Sequence, residues 1–296
     1  GEDIFEKSVA YPTYTKSDYL EDVYMSEEEY ETLKYLVRTK KNVILEGPPG
    51  VGKTFLAKRL AFSLMGSEDT SRLLTLQFHQ SYAYEDFIEG FRPQADGFEL
   101  RKGPFYKFCK AAKIDSDNDY FVIIDEINRG NLSKIFGELF TLLEADKRET
   151  ELNLLYSEER FSIPSNVHLI GMMNTADRSL AIMDYALRRR FAFFAVQPAF
   201  DSEGFTRYGK QLDSRQFDAV VSAVKGLNRA IEEDQTLGGG FAVGHSYLSG
   251  LTARDVGPLR LRRIVDFELV PLLREYWFDD SDKLAEWTKR LRAATE

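Results

Sequence analysis

The residues GPPGVGKT at positions 47–54 restrict the possible folds of this chain more than any other stretch. They fit the pattern G-x-x-x-x-G-K-[ST], in which glycines allow backbone N–H groups to turn inward around phosphate oxygens. The stretch follows an apolar, strand-like segment at residues 42–46 and precedes residues 53–65, whose apolar side chains have helical spacing. A strand, a glycine-rich turn and a helix in this order predict a phosphate-binding loop. The predicted nucleotide-binding residues are Gly47, Pro48, Pro49, Gly50, Val51, Gly52, Lys53 and Thr54.

Two carboxylates follow a second strand-like segment, residues 120–124. Nucleotide hydrolysis needs ligands for Mg²⁺ and a base for the attacking water. Asp125 is therefore predicted to bind the metal with Thr54, and Glu126 to activate the water. The amine of Lys53 is predicted to reach the β- and γ-phosphates. Charged residues at a strand end are often only solvated, but the nearby phosphate-binding loop favours the catalytic interpretation.

Apolar, strand-like segments alternate with helical patterns up to about residue 198. The five strand candidates are residues 42–46, 73–78, 120–124, 167–173 and 191–196. This alternation predicts an α/β fold with a five-stranded parallel sheet flanked by helices. The segment 96–104 has turn-forming residues at Asp96-Gly97 and Lys102-Gly103-Pro104, and residues 149–164 have the pattern of an inserted hairpin. We divide the chain into an N-terminal segment (1–40), a nucleotide-binding unit (41–198) and a mainly helical unit (199–296).

The segment MMNTADRSLAIMDYALRRRF at positions 172–191 changes at once from apolar residues to amide, acidic and basic ones. In a parallel α/β sheet the carboxyl ends of the strands lie at one edge, so Asn174 should lie beside Asp125 and Glu126. Its amide both donates and accepts, and is predicted to hold the attacking water or a γ-phosphate oxygen. The alternative is that Asn174, like Ser179, caps the following helix.

Three consecutive arginines, Arg188, Arg189 and Arg190, follow a helical stretch at residues 180–187. A guanidinium group can stabilise the charge of a transferring phosphoryl group with two parallel hydrogen bonds. Arg188 or Arg189 is predicted to do so. At least one of the three is expected to be a solvated helix end that complements the helix dipole.

The composition excludes several classes of protein. The formal net charge of −9 argues against broad binding of this segment to a phosphate backbone. Cys109 is the single cysteine, so an internal disulfide is excluded and a reducing, cytoplasmic setting is expected. No apolar run reaches the roughly 18 residues of a membrane span. The sequence begins at Gly1, and we expect it to be cut from a longer protein.

Further motifs carry a resemblance to a known family. They are QFHQSY at 77–82, YEDFIEGFRP at 84–93, DEINR at 125–129, MNTADRS at 173–179 and GHSY at 244–247. Together they resemble the McrB family, the GTP-hydrolysing AAA+ subunits of McrBC modification-dependent restriction systems. The likeness runs from about residue 20 to the end of the sequence. It implies an AAA+ P-loop NTPase fold with a smaller C-terminal helical lid, GTP and Mg²⁺ as cofactors, and a hexameric ring.

The resemblance also implies partners and residue roles. The ring would power a McrC-like nuclease subunit, and modified DNA would be read by an N-terminal module that nothing in this chain resembles. The implied site residues are the sensor Asn174, the orienting residues Asp177, Arg178 and Asp184, and the nucleotide contact His245. Arg188 or Arg189 would act on the nucleotide of a neighbouring subunit. Because no N-K-x-D motif is present, residues just before the P-loop or in the lid are expected to read guanine.

Two other functions are compatible with the motifs. The DEINR motif is shared with MoxR-like AAA+ ATPases, which remodel protein complexes. A ring that binds nucleotide only in order to assemble would be a non-hydrolysing scaffold. The intact Lys53, Thr54, Asp125 and Glu126 speak against a scaffold, since binding alone needs no water-activating acid.

Overall fold

A computed structural model describes residues 10–177 and 185–296, so Arg178, Ser179 and Asp184 lie outside the described residues. The strands, in chain order, are β1 (Asn42–Gly47), β2 (Leu73–Gln77), β3 (Glu89–Gln94), β4 (Gly97–Lys102), β5 (Tyr120–Asp125), β6 (Leu152–Asn153), β7 (Arg160–Phe161), β8 (Val167–Asn174) and β9 (Ala192–Ala195). The α-helices are α1 (Lys16–Asp22), α2 (Glu27–Lys40), α3 (Lys53–Met65), α4 (Tyr84–Phe87), α5 (Pro104–Ile114), α6 (Leu132–Phe136), α7 (Tyr185–Arg190), α8 (Glu203–Leu212), α9 (Arg215–Glu233), α10 (Pro258–Ile264), α11 (Val270–Tyr276) and α12 (Ser281–Ala293). A π-helical turn, Val265–Leu269, joins α10 to α11.

The centre of the nucleotide-binding unit is a five-stranded sheet with the order β2-β5-β8-β1-β9. All neighbouring strands in it are parallel. The three inner strands are buried along most of their length, and the outer strands β2 and β9 are only partly buried. Parallel strands that are covered on both faces consist of continuous apolar runs, which is why the sequence marked them clearly. The predicted α/β fold and its five strands are confirmed.

Successive side chains of β1 point to opposite faces of the sheet. Val43 and Leu45 lie in one core cluster with buried residues of α2 and α3. Ile44 lies in the other cluster, with residues of α5 and the helical segment that follows β5. Each face of the sheet is therefore covered by its own layer of helices.

Helix α2 shows how the segment before β1 joins this core. Ser26 caps the helix and forms a capping box with Glu29. Tyr30, Leu33 and Val37 recur at helical spacing and are buried against the sheet. The chain that precedes the P-loop therefore packs in the same core as β1.

Two hairpins project from the sheet unit. Residues 149–164 form the predicted hairpin, in which Leu152 pairs with Phe161. The turn-forming residues Asp96 and Gly97 lie where β3 connects to β4, a strand that was not predicted and that pairs with β3 from Glu89–Lys102 to Gln94–Gly97. Phe98 and Leu100 alternate with charged residues in β4, but most of its side chains are exposed, so this short pattern marks no buried face.

Residues after about 199 form the lid, a helical unit with a separate core. The buried side chains of its inner helices include Phe217, Val220, Val224, Leu227, Ile231, Leu261, Leu273 and Leu291. Tyr24, from the segment between α1 and α2, packs against this core. The centroid of its ring lies 5.3 Å from that of Phe205 and 5.4 Å from that of His245. The lid therefore contacts the chain on the N-terminal side of the P-loop.

Candidate active site

The P-loop connects the C-terminal end of β1 to the N-terminal end of α3. Gly50 and Gly52 have φ angles of +75° and +74°, a backbone conformation that residues other than glycine rarely adopt. Gly52 is also the N-cap of α3. The loop therefore ends at the positive end of a 13-residue helix, where unpaired N–H groups favour an anion.

Lys53 extends back into this loop and is 8% exposed. Its Nζ donates to the carbonyl oxygens of Gly47 and Pro48, both at 2.9 Å, and to Oδ1 of Asn174 at 2.8 Å. Burial lowers the pKa of Lys53 to about 8, and the carboxylates of Glu126 and Asp125 partly oppose this shift. The amine is thus held inside the loop, where the sequence predicts that a phosphate group binds.

Asp125 and Glu126 lie at the C-terminal end of β5, as predicted. Oδ1 of Asp125 accepts a hydrogen bond from the backbone N–H of Glu126 at 3.0 Å. Glu126 has a φ angle of +50°, a conformation that a glutamate adopts only where its surroundings hold it there. The turn directs the Glu126 side chain toward β8, where it meets Asn174.

A Mg²⁺ ion at a nucleotide keeps several ligands from water and phosphate, so the protein needs to supply only one or two oxygens. The Thr54 side chain is exposed at the start of α3, and the Asp125 carboxylate is partly exposed at the end of β5. A hydroxyl and a carboxylate are hard oxygen donors that suit this ion. No group of three or more His, Cys, Asp or Glu side chains within residues 10–177 and 185–296 forms a metal site of the protein alone.

Asn174 is the last residue of β8, and it pairs with Gly47 across the sheet. Its Oδ1 accepts from Lys53, and its Nδ2 donates to Oε1 of Glu126 at 3.1 Å. A helix cap would use this same Oδ1 to accept from a backbone N–H. The contact with Lys53 therefore favours the sensor role over the capping role.

Arg129 was not among the predicted site residues, although it ends the DEINR motif. Its Nε donates to Oε2 of Glu126 at 3.1 Å, and its Nη2 donates to Oδ2 of Asp177 at 3.0 Å. Asp177, expected to orient Asn174, is thus linked to Glu126 through Arg129. The spacing of three residues between Glu126 and Arg129 could have indicated in the sequence that their side chains meet across one turn. The other two predicted orienting residues, Arg178 and Asp184, lie outside the described residues.

The three arginines at the end of α7 differ in their surroundings. Arg190 is mostly buried, stacks on the Phe140 ring, donates to the Phe140 carbonyl at 2.9 Å and pairs with Glu144 at 3.3 Å. Arg189 is 77% exposed and lies 3.5 Å from Glu144, and Arg188 is also exposed. Arg190 therefore has an internal structural role, whereas Arg188 and Arg189 face outward.

Residues 244–247 of the lid form a strap across the P-loop. The backbone N–H of Gly244 donates to the Pro49 carbonyl at 3.2 Å, and that of Ser246 donates to the Gly50 carbonyl at 2.8 Å. A Cβ atom at Gly244 would lie 2.0 Å from the backbone of Gly50, and one at Gly50 would lie 2.4 Å from the Tyr247 ring. Only glycine at both positions allows the strap and the loop to approach this closely.

His245, in the same strap, is 9% exposed. Its Nδ1 accepts a hydrogen bond from the backbone N–H of Ala199 at 3.0 Å. Burial lowers the pKa of His245 to about 4, so the ring is neutral near pH 7 and carries its proton on Nε2. Any contact of His245 with a nucleotide would therefore be made by Nε2 as a donor, and this role stays a prediction.

A cavity of about 1040 Å³ adjoins the P-loop and is large enough for a nucleoside. Four parts of the chain line it: the α1–α2 segment, the start of α3, the chain that leaves β9, and the strap of the lid. Its walls include Val23, Tyr24, Val51, Phe55, Val196, Pro198, His245 and Ser246. The cavity therefore lies between the α1–α2 segment, the P-loop and the lid, and its role in reading guanine stays a prediction.

Comparison with known families identifies the two units. Residues 42–191 match the family model described as AAA domain (dynein-related subfamily). The chain belongs to the AAA family. Residues 219–285 match the model described as McrB, alpha-helical lid domain, so this AAA protein has a lid of the McrB kind. Together the two matches confirm a nucleoside-triphosphatase fold with a helical lid.

Two relatives of this AAA chain come from restriction systems. The Escherichia coli K12 protein described as type IV methyl-directed restriction enzyme EcoKMcrB subunit is 46% identical over 289 residues, covering 94% of this chain and 63% of that protein. The Bacillus subtilis protein described as type II restriction enzyme BsuMI component YdiS is 25% identical over 233 residues, covering 64% of each chain. The chain is thus a McrB homologue that spans less than two thirds of these relatives.

No helix within residues 10–177 and 185–296 is long and apolar enough to cross a membrane.

Proposed function

We propose that the chain is the GTP-hydrolysing motor unit of a McrBC-type, modification-dependent DNA restriction complex. The observation that carries this proposal is the direct connection from Lys53 through Asn174 to Glu126. The Asn174 amide is within hydrogen-bonding distance of both the proposed phosphate-binding amine and the proposed water-activating acid. The likeness to the E. coli McrB subunit over 94% of the chain supports the restriction role.

Nucleotide binding uses groups that already converge on the P-loop. The Lys53 amine exchanges its bonds to the Gly47 and Pro48 carbonyls for oxygens of the β- and γ-phosphates. Loop N–H groups and the start of α3 bind the remaining charge. Thr54 and Asp125 would hold Mg²⁺, which neutralises charge on the phosphate oxygens when it is bound.

Hydrolysis uses the acid and the amide at the carboxyl ends of β5 and β8. Glu126 accepts a proton from the attacking water while the water oxygen bonds to the γ-phosphorus. The bond from the γ-phosphorus to the β,γ-bridging oxygen breaks, and the electron pair leaves with the nucleoside diphosphate. Glu126 then passes its proton to the departing phosphate or to solvent, which restores the carboxylate. The Asn174 amide, between Lys53 and Glu126, positions the water and the γ-phosphate.

The base and ribose occupy the cavity between the α1–α2 segment and the lid. His245 can donate from Nε2, and Tyr24 packs beside it. Residues 196–199 of the chain that leaves β9 also line this space. Guanine is read here, without the N-K-x-D motif of Ras-like GTPases.

Assembly into a hexameric ring completes each site from a neighbouring subunit. Arg188 and Arg189 face outward at the end of α7 and suit a contact in trans. A McrC-like nuclease subunit is the partner that the ring powers. Modified DNA is read by an N-terminal module outside this chain.

A MoxR-like ATPase that remodels protein complexes is the alternative, because the AAA family match alone does not select guanine. Steady-state turnover of GTP, ATP and CTP by the purified chain separates the two functions. Hydrolysis of GTP with little hydrolysis of ATP supports the McrB-type motor. Preference for ATP supports the alternative, and binding without hydrolysis of any nucleotide would indicate a scaffold.

A further inference from the structure

Arg129 connects two carboxylates at the edge of the site. Its Nε and Nη2 atoms donate to Glu126 at 3.1 Å and to Asp177 at 3.0 Å. The carboxylates are largely shielded from water: the side chains of Glu126 and Asp177 are 15% and 19% exposed, compared with 47% for Arg129. The guanidinium group therefore joins the water-activating acid to the segment that follows β8.

The backbone near Glu126 keeps Arg129 in this place. The N–H of Arg129 donates to the Glu126 carbonyl at 2.9 Å and closes the turn that contains Ile127. Glu126, at the start of the turn, has the φ angle of +50° noted above. Because the acid and the arginine belong to one tight turn, a change in the position of the arginine is transmitted to the acid.

Both oxygens of the Glu126 carboxylate are held from the exit of β8. Oε1 accepts directly from Asn174, the last residue of the strand. Oε2 accepts from Arg129, which is bound in turn by Asp177. A displacement of the chain between Asn174 and Asp177 would therefore alter both anchors of the acid.

We propose that Arg129 is a positioning residue that makes the orientation of Glu126 depend on Asp177. The proposal rests on the proposed hydrolysis at this site. An arginine suits the role because its separate N–H groups point to separate acceptors, whereas lysine presents one nitrogen. A general base that is held in advance needs less reorganisation when it accepts the proton. An ion pair with no role beyond stability would leave turnover almost unchanged.

The test is a double-mutant cycle on the full chain with its preferred nucleotide. Arg129→Ala should lower kcat about tenfold, the effect of about one lost hydrogen bond in the transition state. The nucleotide Kd should stay within about twofold, since Lys53 and the loop amides that bind the phosphates are intact. Asp177→Asn should lower kcat severalfold in the wild-type background and have little further effect when Arg129 is absent.

Two further variants are controls. Arg129→Lys should give an intermediate kcat, because it keeps the charge but not the double contact. Arg290→Ala removes an exposed ion pair with Glu286 on α12 and should leave kcat unchanged. Thermal unfolding of every variant shows whether the fold is retained.

The results that overturn the positioning role are distinct from those that overturn the proposed function. A folded Arg129→Ala variant with wild-type kcat, or an Asp177→Asn effect that is equally large without Arg129, excludes the role. A wild-type chain that hydrolyses no nucleoside triphosphate, even when assembled, contradicts both the proposed function and this inference.

Discussion

Lys53 and Asn174 are in direct contact, with Nζ of the lysine donating to Oδ1 of the asparagine at 2.8 Å. The contact follows from the sheet, in which Gly47 at the start of the P-loop pairs with Asn174 at the end of β8. The amine proposed to bind phosphate and the amide proposed as sensor are thus direct neighbours. A nucleotide that draws Lys53 toward its phosphates changes the surroundings of Asn174 in the same step.

Replacement of Lys53 by alanine should weaken nucleotide binding and ring assembly together. The variant loses the positive charge that faces the β- and γ-phosphates. Fluorescence anisotropy with a labelled nucleotide measures the affinity, and light scattering measures assembly. Unchanged affinity and normal turnover in the variant would contradict the P-loop assignment.

The wild-type affinity should also depend on pH through Lys53. The pKa of this amine is about 8 in the free protein, and bound phosphates favour the charged form. Binding therefore takes up a proton above pH 8, and affinity should fall as the pH rises, by at most about tenfold per unit. Lys53→Ala should lack this part of the pH dependence, and an equal dependence in the variant would exclude Lys53 as its source.

Glu126→Gln should separate binding from hydrolysis. The amide keeps the size of the side chain but removes the basic oxygen, so turnover should fall roughly 10²-fold or more while binding survives. The variant should accumulate nucleotide-bound rings, which size-exclusion chromatography with detection of bound nucleotide can measure. Wild-type turnover would mean that another residue activates the water.

Asn174→Ala should bind nucleotide and assemble but lose turnover and its stimulation by a McrC-like partner. A residue that only caps a helix would instead cost about 1 kcal/mol of stability and leave the chemistry unchanged. Asn166→Ala is the matched control, because the Asn166 amide donates only to the backbone carbonyls of Ala112, Asp115 and Asn118. It should lower the free energy of unfolding without abolishing turnover.

The Asn174 experiment compares steady-state GTP turnover with and without the partner for wild type and both variants. The sensor role requires slow basal turnover that the partner raises severalfold. If Asn174→Ala is stimulated as strongly as wild type, the partner acts through other residues.

A mixing experiment tests whether Arg188 or Arg189 acts across the subunit boundary. Glu126→Gln should be inactive alone, and so should the alanine variant of whichever arginine acts in trans. Mixed rings should regain turnover for the arginine that acts in trans, because some boundaries then join an intact Glu126 to an intact arginine. No recovery in either mixture indicates action within one subunit, and Arg190→Ala should mainly lower stability because its contacts are internal.

Gly244→Ala should weaken nucleotide binding at the P-loop. The added Cβ would lie 2.0 Å from the Gly50 backbone, so the strap must move away, at a cost of about 1–3 kcal/mol. Gly257→Ala is the control in the same lid, where a Cβ meets no atom within 4 Å. Nucleotide Kd and thermal unfolding should change for the first variant and hardly at all for the second. Equal effects of the two substitutions would show that the strap does not govern the loop.

The central sheet could be predicted because its inner strands are continuous apolar runs with charged or turn residues at their ends. Because these strands were predicted to be parallel, their carboxyl ends were expected to lie at one edge of the sheet. The structure brings the residues at or after these ends together there, namely Lys53, Asp125, Glu126 and Asn174. Strand β4 was not predicted, because its short alternation of Phe98 and Leu100 with charged residues forms no buried face and the hairpin is held by pairing between strands. The sequence pattern thus predicts strands that are buried in the core, and it does not predict strands that are exposed.

Contacts that depend on turn geometry or on distant segments were not predictable. Arg129 reaches Asp177, 48 residues away, only because the turn after β5 faces the exit of β8. Gly244 was part of a recognised motif, yet its physical role requires the lid to lie against the P-loop. The roles of Arg178 and Asp184 stay predictions.

The contact of Tyr24 with the lid has a consequence for the order of folding during synthesis. Tyr24 leaves the ribosome early, but its partners Phe205 and His245 are made only after the whole sheet. Phe205 follows by roughly 180 residues, a delay on the order of 10–40 s at ordinary rates of translation. Throughout that time the wall of the cavity is incomplete, so the nucleotide site can form only after the sheet, when the helices of the lid close over residues that were made before it.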